Sequence, residues 1–484
     1  MKGQQRCEYL VVGTGAGGSV AGALLAEAGH DVLFLEEGER HIPSPTTIGE
    51  GMHRLYRNGG IFPFLGAPMI PFAEGCCVGG GTVINGALLW RTPPWVLEEW
   101  QRAGLVGYDS AHLQPHFEAV ERDLHVQTHT LEHNANRDSL ALYRGANALG
   151  WKVAMAPRAV KHCTNINLCP VDCAPCGKQS MLENYLPRAF AHGARLRANC
   201  RAVKIVSRNG RARQLIARVG AGGTESSLTI EFDHLVLACG AIQTPHLLQR
   251  SGITRRAGYP VQFHMNLKTV AVFPEAVRAY EGTIFTVQVQ EFAREGIVMM
   301  AMNLSPHFLA LSLARHGIAA VNDGLKHYMN AAVFTTMVRS KSRAHVLSTL
   351  GDAPLVWYRF HPEDLPKIKF AIRQTAEVLF KSGASELYLP IRGSASVHSL
   401  DAVDRMLPQL KSKSLDLSTV HVMASCPMGS SEAVSVVRPD GRLWNTQNIM
   451  VADASILPSN IGESPQGTIM AFVHELIGRH IAGS

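Results

Sequence analysis

The first residues that could do chemistry are three glycines and an acid near the N-terminus. They are Gly13, Gly15, Gly18 and Glu36, and they follow an apolar run at residues 9–12. In this spacing the first glycine permits a tight turn, the second lets the backbone approach a pyrophosphate, and the third lets a helix pack on a strand. The helix N-terminus attracts phosphate, and the acid can accept hydrogen bonds from ribose hydroxyl groups. The sequence therefore predicts a bound dinucleotide, without deciding between FAD and NAD.

A second group that could do chemistry is formed by four of the ten cysteines. They are Cys163, Cys169, Cys173 and Cys176. Their spacing lacks the two separated CxxC pairs of a zinc ribbon, whereas short loops with several thiolates suit an iron–sulfur cluster. The N-terminus leads into an apolar strand without a signal peptide, so a cytoplasmic protein is expected and a disulfide framework is the weaker explanation. Metal ligation, redox chemistry and chance remain open at this point.

Three later segments have the pattern of loops that lie against a ligand. Residues 74–92 contain three successive glycines, which cannot form a regular helix or strand. Residues 236–253 predict a strand, a glycine turn and a helix. Residues 448–481 predict a strand that carries Asp453, a loop rich in proline and glycine, and a terminal helix.

Together with the N-terminal motif, these segments resemble the glucose–methanol–choline flavin oxidoreductase family over nearly the whole chain. The matching motifs are CVGGGTVIN at 77–85, GAIQTPHLL at 240–248, HVMASCPMG at 421–429, DAS at 453–455 and GESPQGT at 462–468. The resemblance implies FAD rather than NAD. It also implies a fold in which an α/β, Rossmann-like FAD-binding domain is interleaved with an α+β substrate domain built on an antiparallel sheet.

The resemblance places cofactor contacts in both halves of the chain. The residues implied are Gly13, Gly15, Gly18 and Glu36 for the ADP part, Gly79, Gly80, Thr82 and Asn85 along the flavin and pyrophosphate, Val203 at the adenine, Asp453 and Ala454 at the ribityl–pyrophosphate region, and Gln466 and Thr468 at the flavin edge.

The resemblance further implies oxidation of an alcohol, in which a base takes the hydroxyl proton while a hydride leaves for the flavin. His421 occupies the place of the family's active-site histidine, so it is the expected base or hydrogen-bond partner. The family usually has His or Asn before the proline of the C-terminal loop, where this chain has Ser464. The adjacent Glu463 is expected to be a solvated loop carboxylate. Because a hydroxyl is a poorer proton acceptor, a non-oxidative flavin enzyme (a lyase, isomerase or photodecarboxylase) stays open as an alternative.

The cysteines resemble a motif of bacterial family members similar to long-chain-alcohol and sugar dehydrogenases. Cys169, Cys173 and Lys178 match that motif, and Cys163 resembles the additional cysteine of members that hold a three-iron cluster. Cys176 is extra and would permit four irons. The resemblance therefore implies a cluster (3Fe–4S or 4Fe–4S) that passes electrons to an external acceptor or redox partner protein. Zinc, or simple pairing or packing of Cys169 with Cys173, are the alternatives, and an electron-transfer subunit is a weaker interpretation.

Composition and charge exclude several other classes of protein. The 484 residues are 46% hydrophobic and 18% charged, which excludes a disordered chain. The net charge of +7 comes without a run of five or more Lys and Arg, so a nucleic-acid partner has little support. The longest nearly apolar stretch, residues 296–314, contains polar residues and a proline and predicts a strand and a helix rather than a membrane span. A small-molecule alcohol is the expected partner.

The length predicts more than one domain. We expect a discontinuous FAD-binding domain at 1–150, 190–255 and 430–484, a cysteine-rich insertion at 151–190, and a substrate-binding domain at 255–430.

The predicted substrate domain contains clear local patterns. Residues 286–292 alternate as a strand does, and residues 362–384 have the start and stop signals of a helix. Met299, Met300 and Met302 could line an apolar pocket, but packing in the core is the more expected role. The leading hypothesis for the whole chain is an FAD-dependent alcohol dehydrogenase that acts on a hydrophobic or bulky alcohol.

Overall fold

The computed structural model describes seven stretches of the chain and one single residue. They are residues 5–40, 47–131, 136–171, 173, 177–220, 225–302, 304–349 and 351–483. Within these residues the strands form four sheets, and strands and helices are numbered below in chain order.

The first sheet has seven strands within the described residues and a parallel centre. Its strands are Gln5–Val12 (β1), Val32–Leu35 (β2), Arg195–Arg197 (β8), Cys200–Arg208 (β9), Arg211–Val219 (β10), Ser226–Leu237 (β11) and Ile449–Val451 (β21). β1 lies between β2 and β11 and is parallel to both, and β21 pairs in parallel with β11. Strands buried on both faces need apolar residues at successive positions, which explains the apolar runs at residues 9–12 and 32–35. β21 brings the C-terminal segment into the N-terminal sheet.

The second sheet has eight strands within the described residues, and its strands pair antiparallel. They are Val153–Met155 (β6), Gln262–Val272 (β12), Val287–Val289 (β13), Ile297–Ala301 (β14), Ala331–Arg339 (β15), Glu386–Tyr388 (β18), Leu417–Ser418 (β19) and Val422–Met423 (β20). β12 pairs with β15 along one edge and with β18, β19 and β20 along the other. The predicted antiparallel sheet of the substrate domain is therefore confirmed.

The other described strands form two smaller sheets, one of four strands and one of two. They are formed by Phe62–Leu65 (β3), Ile70–Phe72 (β4), Arg343–Leu347 (β16) and Leu355–Arg359 (β17), and by Val126–Thr128 (β5) and Pro157–Ala159 (β7). β3 pairs in parallel with β17. Residues predicted to belong to the FAD-binding domain thus share a sheet with residues of the predicted substrate domain.

The helices pack against both large sheets. They are Ala16–Glu27 (α1), Ile48–Leu55 (α2), Gly81–Ile84 (α3), Pro94–Arg102 (α4), Ser110–Asp123 (α5), Arg137–Ala148 (α6), Tyr185–Ala191 (α7), Gly240–Arg250 (α8), Pro306–Leu313 (α9), Ile318–Lys326 (α10), Asp364–Lys381 (α11), Leu400–Met406 (α12) and Gln466–Ala482 (α13). The strand and helix predicted within residues 296–314 are present as β14 and α9, and the helix predicted at 362–384 is α11. Among the described helices, none combines the length and the apolar character that a membrane span needs.

Two large apolar cores hold these elements in place. One core joins the first sheet to α1 and α13 and contains the fully buried Phe34 and Phe472. The other covers the second sheet and α11 and contains Phe334 and Leu379. The remaining space between the two sheets is where the predicted site residues meet.

Candidate active site

A cavity of about 920 Å³ lies between the two large sheets. This volume is in the range of cavities that hold cofactors and substrates. The predicted site residues that line it are Gly13, Gly15, Glu36, Gly80, Thr82, Asn85, His421, Asp453, Ala454, Ser464 and Gln466. Residues from both ends of the chain therefore meet around one space, as the motifs predicted.

The N-terminal glycine turn has the geometry that a dinucleotide requires. Gly13 has φ +103°, and a Cβ there would lie 2.2 Å from the carbonyl oxygen of Ala238. A Cβ on Gly18 would lie 2.1 Å from the carbonyl oxygen of Gly13, so this glycine serves close packing and does not line the cavity. A Cβ on Gly15 would meet no atom within 4 Å, directly before the first residue of α1. The open space at this helix N-terminus suits a pyrophosphate.

Glu36 is held beside the turn by three hydrogen bonds. Its Oε2 accepts from the Thr14 backbone N at 3.0 Å and from Thr14 Oγ1 at 2.7 Å, and its Oε1 accepts from the Gly38 N at 3.0 Å. Burial raises the pKa of Glu36, while these hydrogen bonds act in the opposite direction. A carboxylate can accept about four hydrogen bonds, so Glu36 keeps capacity for a ribose hydroxyl.

Thr14 has a structural role that sequence reasoning missed. Besides donating to Glu36, its hydroxyl accepts from the Gly79 N at 3.0 Å. Gly79 therefore supports the turn from behind and does not itself line the cavity. The position of Thr14 between Gly13 and Gly15 could have indicated this role from the sequence.

The glycine-rich loop after residue 78 is held in shape by hydrogen bonds from Thr82 and from the cysteine-rich segment. Thr82 Oγ1 donates to the Gly79 carbonyl at 2.7 Å and accepts from the Met181 N at 3.1 Å. The Lys178 ammonium donates to the carbonyl oxygens of Val83, Asn85 and Cys169. The cysteine-rich segment thus carries a buried cation that organises the backbone of this loop.

The C-terminal loop is tied to the same region. Asn85 Nδ2 donates to Gln466 Oε1, and Asn85 Oδ1 accepts from the Ala87 N at 3.0 Å. Thr468, predicted at the flavin edge, is fully buried and is not part of the cavity lining. Its Oγ1 lies 2.9 Å from Thr92 Oγ1.

Asp453 joins the C-terminal motif to the central glycine turn. Its carboxylate accepts from the Gly240 N at 2.9 Å, from Thr244 Oγ1 at 2.6 Å and from the Ser455 N at 2.8 Å. Burial raises the pKa of Asp453, and the hydrogen bonds oppose this shift. Val203, the predicted adenine contact, does not line the cavity, although its neighbours Cys200, Arg201 and Ala202 do.

His421 is held over the second sheet by the strands on either side of it. β19 and β20 both pair with β12, which carries the loop between them across the sheet. His421 Nδ1 lies 3.2 Å from His264 Nδ1 and 3.2 Å from Met337 Sδ. His264 Nε2 accepts a hydrogen bond from the Gly462 N at 3.0 Å. A backbone N–H is always a donor, so the His264 proton is on Nδ1 and points to His421.

These contacts leave two tautomers for a neutral His421. With the proton on Nε2, its Nδ1 accepts from the Nδ1–H of His264. With the proton on Nδ1, it donates to the sulfur of Met337, but then two N–H groups face each other, so these contacts favour the first tautomer. In both cases Nε2 is the ring nitrogen that remains for a ligand. Burial lowers the pKa of His421 to about 4, and burial also lowers the pKa of His264. Sequence reasoning missed His264 because nothing local distinguishes it among 22 histidines.

The residues around Ser464 differ from the sequence-based expectation. Ser464 lines the cavity, but Glu463 is only 5% exposed and is not part of the lining. Glu463 Oε1 accepts from Gln288 Nε2 at 2.7 Å, and burial raises its pKa to about 7. The prediction of a solvated carboxylate was wrong, because the loop folds inward against β13.

The substrate side of the cavity is apolar and rich in methionine. Met300, Met302 and Met337 line it together with Phe285, whereas Met299 is in the core. Successive residues of a strand point to opposite faces. Packing in the core is therefore confirmed for Met299, whereas Met300 and Met302 pack against apolar neighbours and also line the cavity.

Within the described residues, the cysteine-rich segment brings the thiols of Cys169 and Cys173 within hydrogen-bonding distance of each other. Cys169 Sγ lies 3.5 Å from Arg158 Nη2, and Cys173 Sγ accepts from the Lys178 N at 3.2 Å. A hydrogen bond from Cys173 and the charges of Arg158 and Lys178 lower the pKa of Cys169. A thiolate in this position has cations beside it.

The predicted cluster ligands are not brought together as a set within the described part of the chain. Cys163 Sγ lies 3.6 Å from Thr283 Oγ1, and Cys176 is outside the described residues. Among the described residues, no group of three or more His, Cys, Asp or Glu is arranged to hold a metal ion. The iron–sulfur and zinc hypotheses therefore gain no support.

Family comparison agrees with this geometry. Models of the N-terminal and C-terminal parts of the GMC oxidoreductases match residues 52–268 and 339–472. The chain belongs to the GMC oxidoreductase family. The GMC-type oxidoreductase y4nJ of Sinorhizobium fredii is 30% identical over 480 residues, covering 98% of this chain and 94% of the relative. The long-chain-alcohol oxidase FAO4A of Arabidopsis thaliana is 27% identical, covering 97% and 68%.

Solved structures of GMC enzymes share the fold. Pyridoxine 4-oxidase from Mesorbium loti superposes with a TM-score of 0.75 at 18% identity, covering 98% of this chain and 99% of that chain. Formate oxidase of Aspergillus oryzae superposes with a TM-score of 0.76 at 13% identity, covering 99% and 98%. The predicted family and two-domain fold are confirmed, and this GMC protein is an FAD-dependent oxidoreductase.

Proposed function

We propose that this GMC protein oxidises a hydrophobic or bulky alcohol at its CH–OH group, with FAD as the first electron acceptor. The observation that carries the proposal is that His421 and Ser464 line the same cavity as the Gly15 turn and Glu36. The methionine-rich wall favours an apolar substrate. Relatives named as long-chain-alcohol oxidases and as a choline dehydrogenase support alcohols as the donor class.

We call the cofactor side of the cavity (the glycine turn at Gly13 and Gly15, Glu36 and Asp453) the cradle, and its residues fit FAD. The free space above Gly15 would take the pyrophosphate and Glu36 a ribose diol, while Asp453 keeps the Gly240 turn in place. When bound, FAD supplies the acceptor for the hydride that leaves the carbinol carbon. Val203 and Thr468 do not line the cavity, so we assign them a supporting role behind the contact surface.

His421 would take the hydroxyl proton. Nε2 accepts it in the tautomer that carries the His421 proton on Nδ1. That proton donates to Met337 Sδ, and the hydrogen bond from the His264 Nδ1–H is given up in this tautomer. The low pKa of His421 keeps its ring uncharged at neutral pH, so one of its two nitrogens has a lone pair. The alcohol thereby loses a hydride and a proton and becomes a carbonyl compound. Ser464 Oγ can donate a hydrogen bond to the substrate oxygen, which steers the hydroxyl toward His421.

The enzyme would be reoxidised by an external acceptor, either oxygen or a redox partner protein. An iron–sulfur relay is not part of the proposal, because the described cysteines offer no support for one. Comparing turnover with oxygen and with an artificial acceptor separates an oxidase from a dehydrogenase.

The test mixes the anaerobic holoenzyme with a panel of aliphatic and aromatic alcohols and follows flavin bleaching together with carbonyl product. We expect both for at least one alcohol. His421→Ala should slow reduction by about 10²–10⁴-fold, the usual loss for a general base. His327→Ala, at an exposed histidine outside the cavity, is the matched control. Absence of bleaching with the whole panel would refute the proposal, and a redox-neutral product formed without flavin reduction would favour the non-oxidative alternative.

A further inference from the structure

Three residues of β12 form a row that leads away from the catalytic histidine. His264, Asn266 and Lys268 are two positions apart, so they lie on the same face of the strand. His264 contacts His421, and the other two line the cavity. At roughly 3.3 Å per residue, the Cα atoms of His264 and Lys268 are about 13 Å apart. The row thus extends from the reacting end of the cavity to a distant lysine.

The wall beside this row is largely apolar. Asn266 is opposite Met337 on β15, Lys268 is opposite Thr335, and Thr335 is opposite Met300 on β14. All of these residues line the cavity. An alkyl chain could therefore lie along the methionines between His421 and Lys268.

Lys268 is a cation to which the described residues offer no close partner. Among the described residues, no hydrogen bond and no ion pair within 4 Å reaches its ammonium. The opposite charge that acts on it is Asp416, and Asp416 already lies 3.7 Å from Nε of Arg315. Lys268, Asp416 and Arg315 all line the cavity, so two cations share one carboxylate.

An anionic ligand group would complete this arrangement. Lys268 is half-buried, and this burial lowers the pKa of its ammonium, so a charge there without a partner is unfavourable. A carboxylate would supply both the missing charge and hydrogen-bond acceptors for the ammonium. Arg315 is 45% exposed, so this end of the cavity reaches solvent and an ionic group there would remain partly hydrated.

We propose that Lys268 marks a carboxylate subsite and that the preferred substrate is a hydroxy carboxylic acid with an apolar chain between its two ends. The hydroxyl would be at His421, the chain along Met300 and Met337, and the carboxylate at Lys268. This inference deepens the proposed function and rests on it for the position of the hydroxyl.

Binding tests the subsite without turnover. Decanoate has no hydroxyl to oxidise, and its binding to the oxidised holoenzyme is measured by the change in flavin absorbance or by calorimetry. Lys268→Met, which extends the methionine wall, should weaken decanoate binding by at least about tenfold. Lys268→Arg should retain most of the affinity, and Lys326→Met, at an exposed lysine outside the cavity, should change nothing. FAD content verifies that each variant is folded.

Turnover provides the second measurement. The wild type should have a higher kcat/KM for ω-hydroxydecanoate than for decanol, and Lys268→Met should lose that preference by raising KM for the hydroxy acid alone. Equal decanoate affinity in the wild type and Lys268→Met would overturn the subsite, whatever the activity. A different result would separate the two proposals. If Lys268→Met loses decanoate binding but the wild type oxidises no alcohol, the subsite is retained and the proposed function is refuted.

Discussion

The cofactor side and the substrate side of this cavity are built in different ways. On the cofactor side, polar groups satisfy one another: Thr14, Glu36 and Gly79 share hydrogen bonds, and Asp453 accepts three. On the substrate side, Lys268 lines the same wall as Met300 and Met337 and has no hydrogen-bond partner among the described residues. The cofactor side is a preformed cradle for a constant ligand, whereas the substrate side leaves charge and hydrogen-bonding capacity for a ligand to complete.

The largest effect is expected from breaking the cradle. In Gly13→Ala the new Cβ would lie 2.2 Å from the Ala238 carbonyl oxygen at a φ of +103°. Backbone strain and overlap together should cost about 3 kcal/mol or more and remove most of the FAD. Gly29→Ala, also at positive φ but with no atom within 4 Å of the added Cβ, is the control. FAD content and thermal unfolding measure the difference, and a Gly13→Ala enzyme with full cofactor would contradict the proposed cradle.

The pH dependence of stability tests the buried carboxyl behind Ser464. The folded pKa of Glu463 is raised to about 7 from an ordinary value of 4.5, so its protonated form is favoured in the folded state. Its contribution is fully present below pH 4.5 and is lost as pH rises through about 7. The wild type should therefore lose about 3 kcal/mol relative to Glu463→Gln between these pH values. Unfolding free energies of both proteins measure this, and parallel pH profiles would contradict the burial of a titrating Glu463.

Substitutions at His264 distinguish its contribution to stability from its contribution to kcat. His264→Leu leaves the Gly462 N–H without its acceptor, which should cost about 1–3 kcal/mol of stability. Because His421 also loses the partner that orients its ring, kcat should fall while KM changes little. His264→Gln, which can still accept from Gly462, should recover stability better than kcat. Urea unfolding and steady-state kinetics distinguish the two effects, and an unchanged kcat in His264→Leu would exclude a positioning role.

The smallest effect is expected at Thr14. Thr14→Val removes a hydroxyl that donates to Glu36 and accepts from Gly79, at a cost of about 1–2 kcal/mol. Thr14→Ser should behave like the wild type. FAD affinity and thermal unfolding provide the measurement. We rank backbone shape above side-chain hydrogen bonds as the determinant of FAD binding in the cradle. A larger loss of FAD affinity and stability in Thr14→Val than in Gly13→Ala would contradict that ranking.

Much of the cofactor side was predictable because its determinants are local. The turn, the helix and the acid from Gly13 to Glu36 are consecutive in the chain, so their spacing alone specifies the geometry. His421 and Asp453 were recognisable by the motifs around them. The family and the two-domain fold followed from the order of those motifs.

The substrate side depended on tertiary structure. His264 and Met337 meet His421 only through the register of β12 with β15 and β20, which joins residues far apart in the chain. Hydrophobic alternation did not show which face of β14 would line a cavity, and Glu463 is buried only because its loop turns inward. Cysteine spacing likewise predicts proximity but not direction, so it could not specify a metal site. Local pattern specifies a turn that binds a common cofactor, whereas long-range strand pairing decides which side chains a substrate meets.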